Sequence, residues 1–474
     1  MATPIPKNSA PLTAEGAAKA TGGVLVRDAG LLARGIVSDT RAIHGGEAFV
    51  ALRGETHDGH AFLSEATKRG AAILVVDRDG AFPEGPSVVR AKDTLAAWGD
   101  LARAHLAKWR TEDKKVVAIT GSAGKTTTKQ LCAAILETVA ETWASPGNLN
   151  NLVGVPAVIF ALEDRHRFAV IECGMSVRGE IAKLARIVEA DVAVITNVSV
   201  AHAEGVGGTR NDVAREKGAI YETARACVFD ADDDLAMSLA GKASRKVGFG
   251  RSERAEYRLL DRVSRGAAGS RMTIERPCAD CASPTAREII ELELPFVGEA
   301  AAIDLCAALA AAEIACGPIQ QDKLDAAMKH VTNVAGRAGV LDLGDVLVID
   351  DTYNANPASM RAALSILGDL AGTRRRVAVL GEMKELGESA REEHLALGDA
   401  LAAAKVALAI GCGGLASDTM KRARALGVDV LDCANVSDAA IEAAKRVRAG
   451  DVVLVKGSRS VGAELVVTTL KGAR

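Results

Sequence analysis

The strongest constraint on this chain is an apolar run that stops at a glycine turn. Val116-Val117-Ala118-Ile119-Thr120 reads as a buried strand, and Gly121-Ser122-Ala123-Gly124-Lys125-Thr126-Thr127 follows it directly, ahead of a helical pattern over 126–140. A strand that feeds a helix through so tight a turn belongs in a parallel sheet with crossover helices. The turn also carries chemistry. Its backbone N–H groups and the start of the helix converge on one point, which suits a row of phosphates. Lys125 can neutralise β- and γ-phosphate charge there, and the Thr126 hydroxyl can ligate Mg²⁺. The strict pattern has a glycine five residues before Gly124, where this chain has Ile119. The segment is a shortened phosphate-binding loop and reads as a site for ATP. A purely structural glycine turn is the competing reading, and Lys-Thr directly after Gly124 weighs against it.

Three blocks surround this segment, as the length of 474 residues allows. The first, 1–113, has strand patterns at 24–27, 35–38, 48–52, 72–76 and 88–90, and the charged run Arg110-Thr111-Glu112-Asp113-Lys114-Lys115 reads as its exit linker. In the second, 114–333, continuous apolar runs at 168–172, 191–198 and 226–230 alternate with helical stretches at 126–140, 179–188 and 212–223. Such runs suit strands buried on both faces of a doubly wound parallel sheet. The arginine-rich stretch 245–271, interleaved with Glu and Asp, reads as a solvated, loop-rich surface, and an Ala-rich helix is expected over 295–314. The third block, 334–474, places strands at 346–350, 376–380, 406–410, 428–431 and 452–456. It is a second Rossmann-like unit without G-x-G-x-x-G, so dinucleotide binding is not expected. The predicted fold class is α/β in three domains: a small α/β N-terminal domain, a central P-loop doubly wound parallel-sheet ATPase domain, and a C-terminal Rossmann-like domain.

Composition excludes several roles. A net charge of −3 and a pI near 6.3 make no case for nucleic acid or an anionic membrane. The first ten residues lack a continuous apolar core of the signal-peptide kind, and no apolar run is long enough to span a bilayer, so a cytoplasmic protein is expected. Nine cysteines without an even framework suit a reducing compartment. Cys278 and Cys281 form a lone C-x-x-C without the second pair a zinc site needs, and read as two thiols.

Ligands of open α/β sheets collect at the carboxyl ends of the strands. Glu172 ends the run 168–172, Asn197 and His202 follow the next one, and Asn148, Asn150 and Asn151 lie in the loop after the first helix. Thr126 and Glu172 make a sensible Mg²⁺ pair, because hard cations take hydroxyl, carboxylate and water oxygens. Each residue alone could be a cap or a satisfied polar core group. Their shared position around a phosphate loop points to a site instead.

Several segments here resemble the Mur ligase family of ATP-dependent amide-forming enzymes. They are Thr120-Gly121-Ser122-Ala123-Gly124-Lys125-Thr126-Thr127-Thr128; Asn148-Leu149-Asn150-Asn151 with Gly154-Val155-Pro156; Ile171-Glu172-Cys173-Gly174-Met175; Thr196-Asn197-Val198 with Ala201-His202-Ala203-Glu204-Gly205; and Arg215-Glu216-Lys217-Gly218. In the first block Ser38-Asp39-Thr40-Arg41 resembles the family's UDP-substrate domain. Asp350-Asp351-Thr352-Tyr353-Asn354-Ala355-Asn356-Pro357, Leu380-Gly381-Glu382-Met383 and Lys456-Gly457-Ser458-Arg459 narrow the likeness to members that add D-alanyl-D-alanine to a UDP-N-acetylmuramoyl tripeptide in peptidoglycan precursor synthesis. The match covers all three blocks and is weakest over 251–332.

The resemblance implies a catalytic set of Lys125, Glu172, His202 and Lys217. It implies a first Mg²⁺ on Thr126 and Glu172, and a second on His202 and a carbamylated Lys217. Gly121, Ser122, Ala123, Gly124, Lys125, Thr126, Thr127, Asn148, Arg337, Asp351 and Asn354 would hold ATP. Ser38, Asp39, Thr40, Arg41, Asn150 and Asn356 would meet the other substrates. Domain closure over a monomeric enzyme is implied as well. One departure stands out: the family's Gly-x-His-Asn-x-x-Asn start of the long helix, whose first Asn approaches adenine, here reads Gly298-Glu299-Ala300-Ala301-Ala302-Ile303-Asp304. It leaves open a catalytically weakened nucleotide-binding homologue, alongside a ligase adding a different, third residue.

Overall fold

The computed structural model describes residues 3–54, 57–200, 204–241, 243–278 and 286–473. At its centre is a nine-stranded sheet in the order Arg287–Leu294, Ser270–Pro277, Tyr257–Ser264, Arg245–Gly250, Ala226–Asp230, Val192–Ile195, Lys115–Thr120, Phe168–Glu172, Thr142–Ala144. All neighbours from Thr142–Ala144 to Tyr257–Ser264 run parallel. The inner strands Phe168–Glu172 and Val192–Ile195 are buried at every residue, which is why their sequence is continuously apolar rather than alternating. After the phosphate-loop strand Lys115–Thr120 the chain first builds one flank of the sheet and then crosses to the other. The crevice at this switch point opens over the phosphate loop.

The stretch 245–271, expected to be loop-rich, instead carries the parallel strand Arg245–Gly250 and opens an antiparallel extension of the sheet, formed by Tyr257–Ser264, Ser270–Pro277 and Arg287–Leu294. Met272, Ile274, Leu292 and Leu294 face inward, while Arg271 faces solvent and pairs with Glu293. Arginines on the open face of a half-buried sheet resemble a polar loop when read in line. Cys278 is disulfide-bonded rather than a free thiol, and Cys281 lies outside the described residues. The long Ala-rich helix begins at Glu299, four residues later than its composition suggests, because Gly298 turns the chain with φ 87°. Alanine on most of its faces lets this helix lie close against both the sheet and the phosphate-loop helix Lys125–Glu137.

The N-terminal sheet, Val24–Arg27, Ser87–Arg90, Ile73–Val76, Ala48–Val50, Ile36–Val37, is parallel except at its first pair. Its last helix, Thr94–Trp109, packs on the central domain. Trp98 meets the Phe160 ring edge-on at 4.8 Å and donates to Val153 O, so one core cluster runs through both domains. The charged run after this helix is no slack tether, since Arg110 donates to Asp191 Oδ2 at 3.0 Å and to Val188 O at 2.9 Å.

The C-terminal sheet runs Gly339–Asp342, Leu347–Asp351, Val452–Lys456, Arg376–Gly381, Leu408–Cys412, Asp429–Cys433 and is parallel apart from the first pair. The carboxyl ends of its strands Leu347–Asp351 and Val452–Lys456 reach the same cavity as the phosphate loop. Among the described residues no helix is long and apolar enough to cross a membrane.

Candidate active site

Two glycines shape the phosphate loop. Gly121 has φ 154° with Thr196 packed against it, so that a Cβ there would lie 1.8 Å from the Thr196 hydroxyl. Gly124 has φ 80°, and a Cβ on it would lie 2.2 Å from Asp304 Oδ1. Only glycine fits either place. Asn197 braces the loop from the neighbouring strand end: its Oδ1 accepts from Ala123 N, and its Nδ2 donates to Ala123 O, both at 3.0 Å.

Lys125 and Lys217 both donate to Gly121 O, at 2.7 and 3.0 Å. Burial pushes both amines down. For Lys217 the displacement is far below the ordinary lysine value, with the Lys125 charge adding to it and Glu216 opposing. Burial thus shifts Lys217 toward the neutral form of its amine.

Glu172, 1% exposed, ends its strand beneath the loop. Its Oε2 accepts from Thr126 at 2.9 Å and its Oε1 from Asn150 at 2.9 Å. Lys129 Nζ lies 3.3 Å from Oε2. Burial would raise this carboxyl, but the Lys129, Lys125 and Arg337 charges outweigh it and hold the group below the usual range. A carboxylate beside a hydroxyl that donates to it leaves the hydroxyl lone pairs free for a cation, so the Thr126–Glu172 donor set fits Mg²⁺. Among the described residues no three His, Cys, Asp or Glu side chains gather as a metal site. His202 lies outside the described residues.

The C-terminal domain supplies the opposite wall of a cavity of about 440 Å³, with Arg337, Asp351, Tyr353, Asn354, Asn356 and Lys456 facing Ser122–Lys125, Thr127, Asn148, Asn150, Glu172 and Lys217. Arg337 stands 4.1 Å from the Tyr353 ring centre. Asp351 accepts from Ala338 N through Oδ1 and from Lys456 at 2.5 Å through Oδ2. Asn356 caps the helix Pro357–Ala371 with a reciprocal Ser359 bond, and its Nδ2 reaches across to Ser122 O at 3.4 Å. Asn354 Oδ1 accepts from Ala355 N. A smaller cavity of about 330 Å³ adjoins, lined by Asn354, Ala355, Asn356, Lys384, Glu385, Ser458, Arg459 and Ser460. Thr126 and Asn148 also border a third cavity, on the outer side of the phosphate-loop helix.

The structure therefore brings together every described site residue of the central and C-terminal blocks. Ser38, Asp39, Thr40 and Arg41 lie apart in the N-terminal domain, where Asp39 caps the 3₁₀ turn Thr40–Ala42 and pairs with Arg41 at 2.6 Å, and they line none of these three cavities. Sequence reading missed Lys129, and it left Lys456, Tyr353 and Asn197 without a role. Asn197 was already picked out at a strand end, and Lys456, the last residue of Val452–Lys456, falls under the same rule. Lys129 had only its place one helical turn after Lys125 as a signal.

Family models cover most of the chain: the Mur ligase family catalytic domain over residues 33–105, the Mur ligase middle domain over 119–312, and the Mur ligase glutamate ligase domain over 336–459. The UDP-N-acetylmuramoyl-tripeptide–D-alanyl-D-alanine ligase of Bacillus subtilis is 31% identical over 445 residues, 92% of this chain and 93% of that protein. The crystal structure of MurF from Acinetobacter baumannii superposes with a TM-score of 0.86 at 28% identity, covering 98% of this chain and 99% of the other. MurF of Thermotoga maritima, solved with ADP, gives 0.80 at 26% identity over 92% of this chain and 97% of its own. With its fold, its phosphate loop and matches across all three domains, the chain belongs to the Mur ligase family and is similar to MurF throughout its length.

Proposed function

We propose that the protein joins D-alanyl-D-alanine to a UDP-N-acetylmuramoyl tripeptide, with ATP as the energy source and ADP and phosphate as by-products. One observation carries the reading. A phosphate loop with Lys125 faces, across one cavity that Glu172 also lines, a C-terminal wall that offers Arg337, Asn354 and Asn356, and the Thr126 hydroxyl donates to Glu172. A carboxylate is a poor acyl donor, so its oxygen must first displace ADP from the γ-phosphorus to give an acyl phosphate. The dipeptide amine then attacks the acyl carbon, phosphate leaves with the bonding pair, and the amine loses a proton.

Both steps crowd anions together, and the chain's cations answer that charge. Lys125 and Arg337 hold the phosphates, while Asp351, fixed by Lys456 and Ala338 N, meets the ribose. Mg²⁺ on Thr126 and Glu172 would supply further charge neutralisation at the β- and γ-phosphates. Lys217, whose burial favours the neutral amine, would offer the lone pair that CO₂ needs to form a carbamate, and it would pair with His202 at a second cation. The adjoining cavity, with Lys384, Ser458 and Arg459, suits the carboxylate end of the dipeptide. In this scheme residues 1–113 take the UDP end, with Ser38, Asp39, Thr40 and Arg41 among the contacts; 114–333 take ATP; and 334–474 take part of ATP and the dipeptide. The enzyme works as a monomer in the cytoplasm, where nucleotide sugars and ATP are both at hand.

The test is phosphate release from ATP with UDP-muramoyl tripeptide, with and without D-alanyl-D-alanine, followed by mass spectrometry. Release that requires the dipeptide, with a product heavier by one condensed dipeptide, supports the reading. No release with either the lysine or the diaminopimelate tripeptide refutes it. Turnover with a free amino acid on a dipeptide precursor would favour a third-residue ligase instead.

A further inference from the structure

Glu172 already has partners at both oxygens, and one of them is a cation outside the catalytic set. Lys129 lies on the same face of the phosphate-loop helix as Lys125 and is 3% exposed. Its Nζ sits 3.3 Å from Glu172 Oε2 and donates to Gly147 O at 3.2 Å. Both side chains of the pair are almost wholly out of water, at 4% and 2%. Oε2 also takes the Thr126 hydroxyl and Oε1 takes Asn150, so both oxygens of the carboxylate already have partners. Lys125 and Arg337 add their charges to that of Lys129 around the one carboxylate. A free divalent cation approaching Glu172 therefore meets three like charges at low dielectric.

We propose that Lys129 is a positioning residue that gates the cation position: it holds Glu172 in place and keeps a free divalent cation off it, so that the cation enters together with the nucleotide phosphates. A triphosphate brings enough negative charge to reverse the sign of the cleft. Lys129 can then lean on Gly147 O while Oε2 turns to the incoming ion. The gate rests on the nucleotide reading above, and its test separates the two.

Mn²⁺ serves as the probe, and free Mn²⁺ is counted by its electron paramagnetic resonance signal. Wild-type protein should bind Mn²⁺ at least about tenfold more weakly without ADP than with it, as expected for a like charge a few ångströms from the ion. Lys129→Gln should tighten nucleotide-free Mn²⁺ binding by about tenfold, Lys129→Arg should behave as wild type, and Glu172→Gln added to Lys129→Gln should abolish the gain. Equal wild-type affinity with and without ADP, or a Lys129→Gln variant that binds Mn²⁺ no more tightly than wild type, overturns the gate. The wild-type comparison stands even where a variant does not fold. Failure of ADP itself to bind would instead sink the nucleotide reading.

Discussion

Replacing Asp304 by asparagine tests how charge is balanced beside the phosphate loop. The Asp304 side chain is packed onto Gly124, and burial pushes its carboxyl up to about 7 from 3.8, against the opposing pull of Thr128 and Arg337. The folded protein thus holds this proton more tightly than the unfolded chain. The sign follows: the wild type pays nothing for Asp304 below the unfolded value, and loses stability progressively as pH rises from there to about 7. Integrating the two titrations, that loss grows by about 2–3 kcal/mol between about pH 5 and about pH 8. Asparagine has nearly the same shape and no charge, so it escapes the loss. The assay is the Tm of both proteins across that range, since three domains need not unfold as one two-state unit. The variant should gain on the wild type by roughly 5–10 °C from the acid to the alkaline end. A gap that is flat with pH, or that widens toward acid, would refute the buried-carboxyl account.

Other substitutions probe the remaining joints. Gly124→Ala combines a positive φ with a Cβ driven onto Asp304, and should weaken ADP binding by calorimetry more than about tenfold while circular dichroism stays unchanged. Trp98→Ala empties the shared core of the first two domains and should cost about 3–5 kcal/mol, seen as a lower Tm and as proteolysis within residues 110–114. Lys456→Met strips Asp351 of its counter-ion and should destabilise the C-terminal domain by about 3–5 kcal/mol while raising KM for ATP more than kcat falls. Unaltered KM would remove Asp351 from the nucleotide contacts.

What could be read in line and what could not divides along a physical boundary. The phosphate loop was legible because its chemistry is local: the glycines, Lys125 and Thr126 do their work within one turn of chain. Glu172 was legible because a strand buried on both faces has no other reason to end in a carboxylate. Arg110 was misread as part of a linker because its partner Asp191 lies 81 residues away. The extension around 257–294 was misread because its arginines sit on a solvent face whose alternation shows only once the opposite face is known to be buried. Lys129 and Asp304 reach the site from helix faces, and a helix face has no strand end to announce it. Asp304 was visible only as a departure from a pattern, and Lys129 only as a second lysine one turn on. Both are buried ionisable groups that neither cap a helix nor fill a core, and such groups alter what their neighbours can bind. The parts of this site hardest to read from sequence are therefore the ones that set its electrostatics, while the parts easiest to read set its geometry.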